Sequence, residues 1–186
     1  MALGDPTMYK GYLGGHNWIT HTDYDTLSYL KTKFDIKTML DIGCGPGGQI
    51  RVAQSLDIDA VGIDGDSRVI QENSDLTIYE CDYTKNTIDT GNYDLGWSCE
   101  FIEHVAEQYV DNFMKTFALC KYVCMSFAPP GTPGNHHVNC RPAEYWISVF
   151  KDYRLDYNEE ITAEIRKISG MKRDFIRNNG LFFEKK

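Results

Sequence analysis

The chain has 186 residues, enough for one domain with a sizeable core. Its 42% hydrophobic and 25% charged content is that of an ordinary globular protein. A net charge of −8 argues against broad nucleic-acid binding, which needs a basic face, and no apolar run is long enough to span a bilayer.

In chain order, Gly11, Gly14 and Gly15 read as an irregular N-terminal arm carrying His16, Trp18 and His21. "HTDYDTLSYLKTKF" follows as a helix with Leu27, Leu30 and Phe34 on one face, capped by Thr22 or Asp23. Residues 1–36 are an arm and helix able to fold over a cleft as a lid. The equal alternative is that Trp18 packs on the outside of the sheet. From there strands and helices alternate. "KTMLDI", "DAVGID", "LTIYE", "YDLGWSC" and "KYVCMSF" are apolar strand segments. "GQIRVAQSL", a short turn near Val69 and "EQYVDNFMKTFALC" are helical. The stretch from Asp82 to Tyr93 is too short for a full crossover helix. "APPGTPGNHHVNCR" is a loop, and Pro142 stands early in the helix "PAEYWISVFK". "YRLDYN", a helical stretch interrupted or weakened at Gly170, and "LFFE" complete the chain. The pattern predicts a single α/β domain over 1–186, a doubly wound, mainly parallel sheet with ligands at the carboxyl ends of its strands.

"LDIGCGPGG" contains G-x-G-x-x-G as Gly43, Gly45 and Gly48, and Asp64 lies about twenty residues on, at the end of the second strand. That suits a carboxylate accepting ribose hydroxyls, for a nicotinamide cofactor or any adenosine. Asp41 separates the choices. Beside a pyrophosphate its carboxylate is repulsive; beside an ammonium or sulfonium it is attractive. S-adenosylmethionine carries both cations and no phosphate, and its own carboxylate suits the free N–H groups of a glycine turn. Asp82, just past the third strand, is placed to accept from an adenine amino group, or is simply a turn residue. Glu100, Phe101, Glu103 and His104 follow the fourth strand; Glu103 also reads as a solvated residue in a helix's first turn.

"LDIGCGPG", "VGIDGDS", "YECDYT" and "YDLGWSCEFIEHV" resemble the successive motifs of class I S-adenosylmethionine-dependent methyltransferases. The whole chain more loosely resembles compact methyltransferases of phage and environmental origin. The resemblance implies a Rossmann-like seven-stranded sheet with a reversed C-terminal hairpin and S-adenosyl-L-methionine as cofactor. It implies that Asp41, Gly43 and Gly45 contact the methionine end, Asp64 the ribose, Asp82 with the Tyr83 backbone the adenine, and that Glu100 lies beside the cofactor.

Methyl transfer needs a general base only when the acceptor holds a proton at neutral pH. The candidates are His104, His136 and His137. His104 also reads as a packing residue of the cofactor pocket, and the "GNHHVNC" loop as a structural wrap. A metal held by His136, His137 and Cys140 is not expected, because adjacent histidines point apart and no fourth ligand is apparent. "SCEF" replaces the Asn-Pro-Pro-Tyr-type motif of enzymes that methylate amines of DNA bases. The expected partner is therefore a small-molecule acceptor, with no nucleic acid and no membrane. The expected reaction is methylation of its oxygen or nitrogen; the alternative is a catalytically silent S-adenosylmethionine-binding module. A nicotinamide oxidoreductase is disfavoured by Asp41 and Asp82. Scattered cysteines and a leaderless N-terminus point to the cytoplasm.

Overall fold

The computed structural model describes residues 18–186 and, before them, the backbone of two short strands, β1 (Met8–Tyr9) and β2 (Tyr12–Leu13), which pair antiparallel. The arm glycines Gly11, Gly14 and Gly15, and His16, lie outside the described residues.

The main sheet contains β3 (Thr38–Ile42), β4 (Asp59–Asp64), β5 (Ile78–Glu80), β6 (Tyr93–Ser98), β7 (Cys120–Ser126), β8 (Leu155–Tyr157) and β9 (Gly180–Lys185). Their order is β5-β4-β3-β6-β7-β9-β8; β9 runs antiparallel to both neighbours and the other pairings are parallel. This is the expected doubly wound sheet with a reversed terminal hairpin. The chain reverses direction of travel between β3 and β6, which is where such sheets hold ligands.

Among the described residues seven α-helices cover it: α1 (Tyr24–Phe34), α2 (Gly48–Ser55), α3 (Ser67–Glu72), α4 (Val110–Phe117), α5 (Ala143–Asp152), α6 (Glu159–Ile168) and α7 (Phe175–Asn179). Strand alternation divides the core. Met39 of β3 points to the face covered by α1, α2 and α6, where it meets Leu27, Ile50 and Ile165. Leu40 and Ile42 point to the opposite face with Phe113, Phe117 and Trp146 of α4 and α5. Trp97 of β6 is buried core, as expected.

The element boundaries make the sequence reading more specific. Asp23 caps α1 (not Thr22): its side chain accepts from the Thr26 N–H. Pro142 is the cap of α5 rather than its first residue. No helix links β5 to β6. Helix α6 stops at Ile168, and Gly170 falls in the break before α7. The turn after β6 is a short 3₁₀ segment, Ile102–His104.

Candidate active site

The loop after β3 turns on three left-handed glycines: Gly43 (φ 74°), Gly45 (φ 49°) and Gly47 (φ 74°). Gly43 and Cys44 donate N–H groups to the carbonyl of Ile63 at 2.9 and 3.0 Å, which fastens the turn to β4. Gly45 donates to Asp64 Oδ2 at 2.8 Å, and Asp66 N–H donates to Asp64 Oδ1 at 2.9 Å. The Asp64 carboxylate therefore bridges the end of β4 and the glycine turn.

Gly43 has a second reason to be glycine. A Cβ there would lie 2.4 Å from the Phe101 ring. Phe101 stands edge-on to Tyr83 and Phe113, each with ring centroids 5.7 Å away. The glycine thus makes room for an aromatic wall as well as for a ligand.

Asp41 is buried on the Met39 face, and its Oδ2 has no hydrogen-bond partner. Burial, with the Asp64 charge nearby, pushes its pKa up to about 8. An orphaned buried carboxyl beside a glycine turn fits a ligand cation that would hold it ionised. The ammonium or sulfonium of S-adenosylmethionine meets that requirement; a pyrophosphate does not.

Asp82 is more heavily engaged than the sequence indicates. Its Oδ1 accepts from the Thr84 N–H (2.9 Å) and hydroxyl (2.7 Å), and Lys85 lies 2.8 Å from Oδ2. Partial burial opposes ionisation, but Lys85 and Thr84 outweigh it and the carboxyl titrates below its usual range. Tyr83 is buried, and its carbonyl accepts from Asn112 at 2.8 Å.

Beyond β6 the chain places Glu100 in left-handed backbone (φ 56°), its N–H donating to Ser126 Oγ at 3.0 Å. Glu103 corrects the sequence reading: it is wholly buried, not solvated, and neither carboxylate oxygen has a partner. Burial pushes both carboxyls upward, and the Glu100 charge raises Glu103 further, whereas Glu103 and the Arg173 charge hold Glu100 back. His104 is largely buried, with an unpartnered Nδ1; burial and the neighbouring His137 lower its pKa to about 4. It is neutral at pH 7. The His104 and His137 rings meet edge-on at 5.0 Å, so two of the three candidate histidines come together. His136 adopts φ 54° in the same loop.

An open cavity of about 390 Å³ is lined by Glu100, Ala128, Thr132, Lys172, Arg173 and Phe175, among others. His21 stands edge-on to Phe175 at 4.9 Å. Thr20 Oγ1 accepts from the Gly48 N–H at the start of α2 (3.1 Å), so the N-terminal segment is attached beside the glycine turn. Trp18 packs against the core on the α1–α2 face.

The sequence reading missed Asp23 as a junction. Its carboxylate accepts from the Thr26 N–H (3.0 Å) and hydroxyl (2.8 Å), the Ser169 hydroxyl and the Gly170 N–H (3.2 Å). Its own N–H donates to Gln49 Oε1 at 2.8 Å. It ties α1 and α2 to the segment that carries Lys172 and Arg173.

Residues 40–121 match the family model described as "Methyltransferase domain". Over that segment the chain resembles a methyltransferase domain, and the sheet order with its reversed C-terminal hairpin is the Rossmann-like methyltransferase fold. Solved structures share the methyltransferase fold at low identity. A TehB-like S-adenosylmethionine-dependent methyltransferase from Corynebacterium glutamicum superposes with a TM-score of 0.63 at 16% identity, covering 87% of this chain and 88% of that one. DesVI of Streptomyces venezuelae gives 0.62 at 12%, covering 86% and 88%. Magnesium protoporphyrin IX methyltransferase from Synechocystis, with bound S-adenosylhomocysteine, gives 0.60 at 16%, covering 85% and 78%. No curated protein matches the sequence. Among the described residues, no helix is long and apolar enough to cross a membrane.

Proposed function

We propose that the protein methylates an oxygen or nitrogen of a small-molecule acceptor that enters the cavity bounded by Glu100 and Arg173. The observation that carries this reading is the cavity's position. It opens at the carboxyl ends of β6 and β7, with Glu100 in its wall, and the glycine turn is not among its lining residues. Acceptor and cofactor thus have separate places on one edge of the sheet. The small-molecule methyltransferases among the structural neighbours support the same class of acceptor.

S-adenosylmethionine supplies an activated methyl group on a sulfonium. Around it, Asp41 holds a cationic group of the methionine portion, and the N–H groups of the glycine turn meet its carboxylate. Asp64, already oriented by Gly45 and Asp66, accepts from the ribose hydroxyls. Asp82 and the Tyr83 backbone address the adenine, with Asp82 sharing its oxygens with Thr84 and Lys85. Phe101 walls the pocket. The chain contributes mainly position and exclusion of water. A neutral His104 with its pKa near 4 is a weak base at pH 7.

The test is incubation of the protein and methyl-labelled cofactor with a metabolite extract, read by mass spectrometry. Label in a discrete small molecule supports the proposal. Tight cofactor binding with no labelled product in any fraction would leave a silent binding module instead, and label confined to macromolecules would overturn the small-acceptor reading.

A further inference from the structure

We propose that Glu103, His104 and His137 bind one divalent transition-metal ion at the acceptor end of the site. Among the described residues these three form a cluster in which one donor atom of each lies within 4.8 Å of the others. Bonds of about 2.1 Å put neighbouring ligands on one ion roughly 3–4 Å apart, so a small contraction closes the set.

Two members of the cluster carry unpartnered polar atoms. Glu103 is fully buried with both oxygens unpartnered, and the buried Nδ1 of His104 is unpartnered too. Two buried orphan groups side by side are costly unless something pairs with them. A cation resolves both at once. The alternative of a proton shared with Glu100 would satisfy one carboxylate oxygen and leave the imidazole orphaned.

His137 is arranged for this. Its Nδ1 lies 3.2 Å from the Thr132 carbonyl. A carbonyl only accepts, so Nδ1 carries the hydrogen and Nε2 carries the lone pair. That is the usual outer support of a metal-binding histidine. Gly134 lies against the ring; a Cβ there would fall 2.1 Å from Nε2. The backbone of Glu103 is clamped to the histidine loop, since Val138 and Asn139 both donate to its carbonyl, at 2.9 and 3.1 Å. The two halves of the cluster are therefore held together by main chain, independently of any ion.

The ligand set differs from one made of His136, His137 and Cys140. The Cys140 sulfur sits 3.6 Å from Nδ1 of His137, the nitrogen that faces Thr132, and is not in the cluster. One carboxylate and two imidazoles favour first-row ions such as Mn²⁺, Fe²⁺ or Zn²⁺, with positions left open. Glu100, which precedes the cluster, and Thr132, whose carbonyl faces His137, both line the cavity, so the cluster lies directly behind its wall.

Resting on the methyltransferase reading above, the ion would take an acceptor hydroxyl and favour its ionised form. The O–H proton leaves to water. An oxygen lone pair then forms the new C–O bond while the C–S bonding pair stays on sulfur. The products are a methyl ether, neutral S-adenosylhomocysteine and one proton.

Mn²⁺ alone is the probe. The six-line electron paramagnetic resonance signal of free Mn²⁺ should diminish on titration with the full chain, at one ion per chain. Glu103→Gln and His137→Ala should each weaken binding at least tenfold, roughly the scale of ligand-support losses. Glu103→Gln keeps the shape and removes a buried charge, so it is the variant expected to fold without difficulty. S-adenosylhomocysteine binding, measured on the same samples, reports on the methyltransferase reading separately. Retained S-adenosylhomocysteine binding with no Mn²⁺ uptake at millimolar ion overturns the metal site alone. Mn²⁺ affinity unchanged in folded Glu103→Gln and His137→Ala proteins would place the ion on the acidic surface, and also overturns it.

Discussion

Gly43 and Phe101 face each other at the glycine turn, so closely that a Cβ on the glycine would come within 2.4 Å of the ring. Gly43 is also at φ 74°. Gly43→Ala therefore meets two separate obstacles, a collision and a left-handed backbone. It should lose about 1–3 kcal/mol of stability and most of its cofactor affinity. Phe101→Ala relieves the collision but not the backbone strain. In a double-mutant cycle followed by urea denaturation, Gly43→Ala should cost less when Phe101 is already Ala. Strict additivity would mean that the ring moves aside without cost.

Asp41 gives a pH dependence with a definite sign. Its pKa is raised from 3.8 to about 8 in the folded protein by burial and by Asp64. Between those values the folded state binds more protons than the unfolded one, so stability falls as pH rises from about 4 to 8. Asp41→Asn removes that proton linkage. The variant should be more stable than the parent at pH 8 and gain little at pH 4, read as melting temperature across the range. Cofactor binding should show the converse. A cation beside Asp41 ionises it, so S-adenosylmethionine binding at pH 7 should release close to one proton from a group with a pKa near 8. Calorimetry in buffers of different ionisation enthalpy would show this, and the Asn variant should lose that contribution.

Asp64 orients the glycine turn through Gly45, and under the proposed function it would also accept from the ribose. Asp64→Ala should weaken S-adenosylhomocysteine binding by about 1–3 kcal/mol. The parent should bind NAD far more weakly than S-adenosylhomocysteine. An unchanged dissociation constant in the variant would remove Asp64 from the cofactor site.

Much of the architecture is legible because it rests on local pattern. Apolar runs ended by glycine or aspartate mark β3 and β4, and the missing helix after β5 follows from too few residues. The cofactor edge is legible for the same reason: Asp41, Asp64 and Asp82 each stand at or just past a strand end, and a parallel sheet gathers strand ends. What sequence spacing does not reveal is contact across the chain. Nothing local shows that Phe101 is the neighbour of Gly43. Nothing local shows that Glu103 is buried against the histidine loop, since a glutamate in a first turn reads equally well as solvated. Asp23 is recognisable as a cap, yet its bonds to Ser169 and Gly170 come from the far end of the chain.

Those bonds make Asp23 a stability test. Asp23→Ala would strand the Thr26 and Gly170 N–H groups as well as the Ser169 hydroxyl. It should cost about 2–4 kcal/mol, more than loss of a helix cap alone. Ser169→Ala, which removes one donor and leaves the cap, should cost less. If Asp23→Ala lowers the urea midpoint no more than Ser169→Ala does, the junction is not cooperative.

Arg173 tests the acceptor cavity. It is exposed in the cavity wall with Lys172, and its charge acts on Glu100, where it opposes the upward push of burial. It lies in the break between α6 and α7 and lines the cavity, whereas no glycine of the turn after β3 does. Arg173→Ala should therefore leave S-adenosylhomocysteine affinity unchanged and alter acceptor binding. For an acceptor carrying a carboxylate or phosphate, KM should rise by about tenfold, the equivalent of a contact of roughly 1.4 kcal/mol, with kcat nearly constant. The effect should shrink at high salt, because an exposed guanidinium is readily screened. For a neutral acceptor, KM should change little. A fall in kcat at unchanged KM would instead mean that Arg173 acts through Glu100 on the reacting geometry rather than by attracting the acceptor.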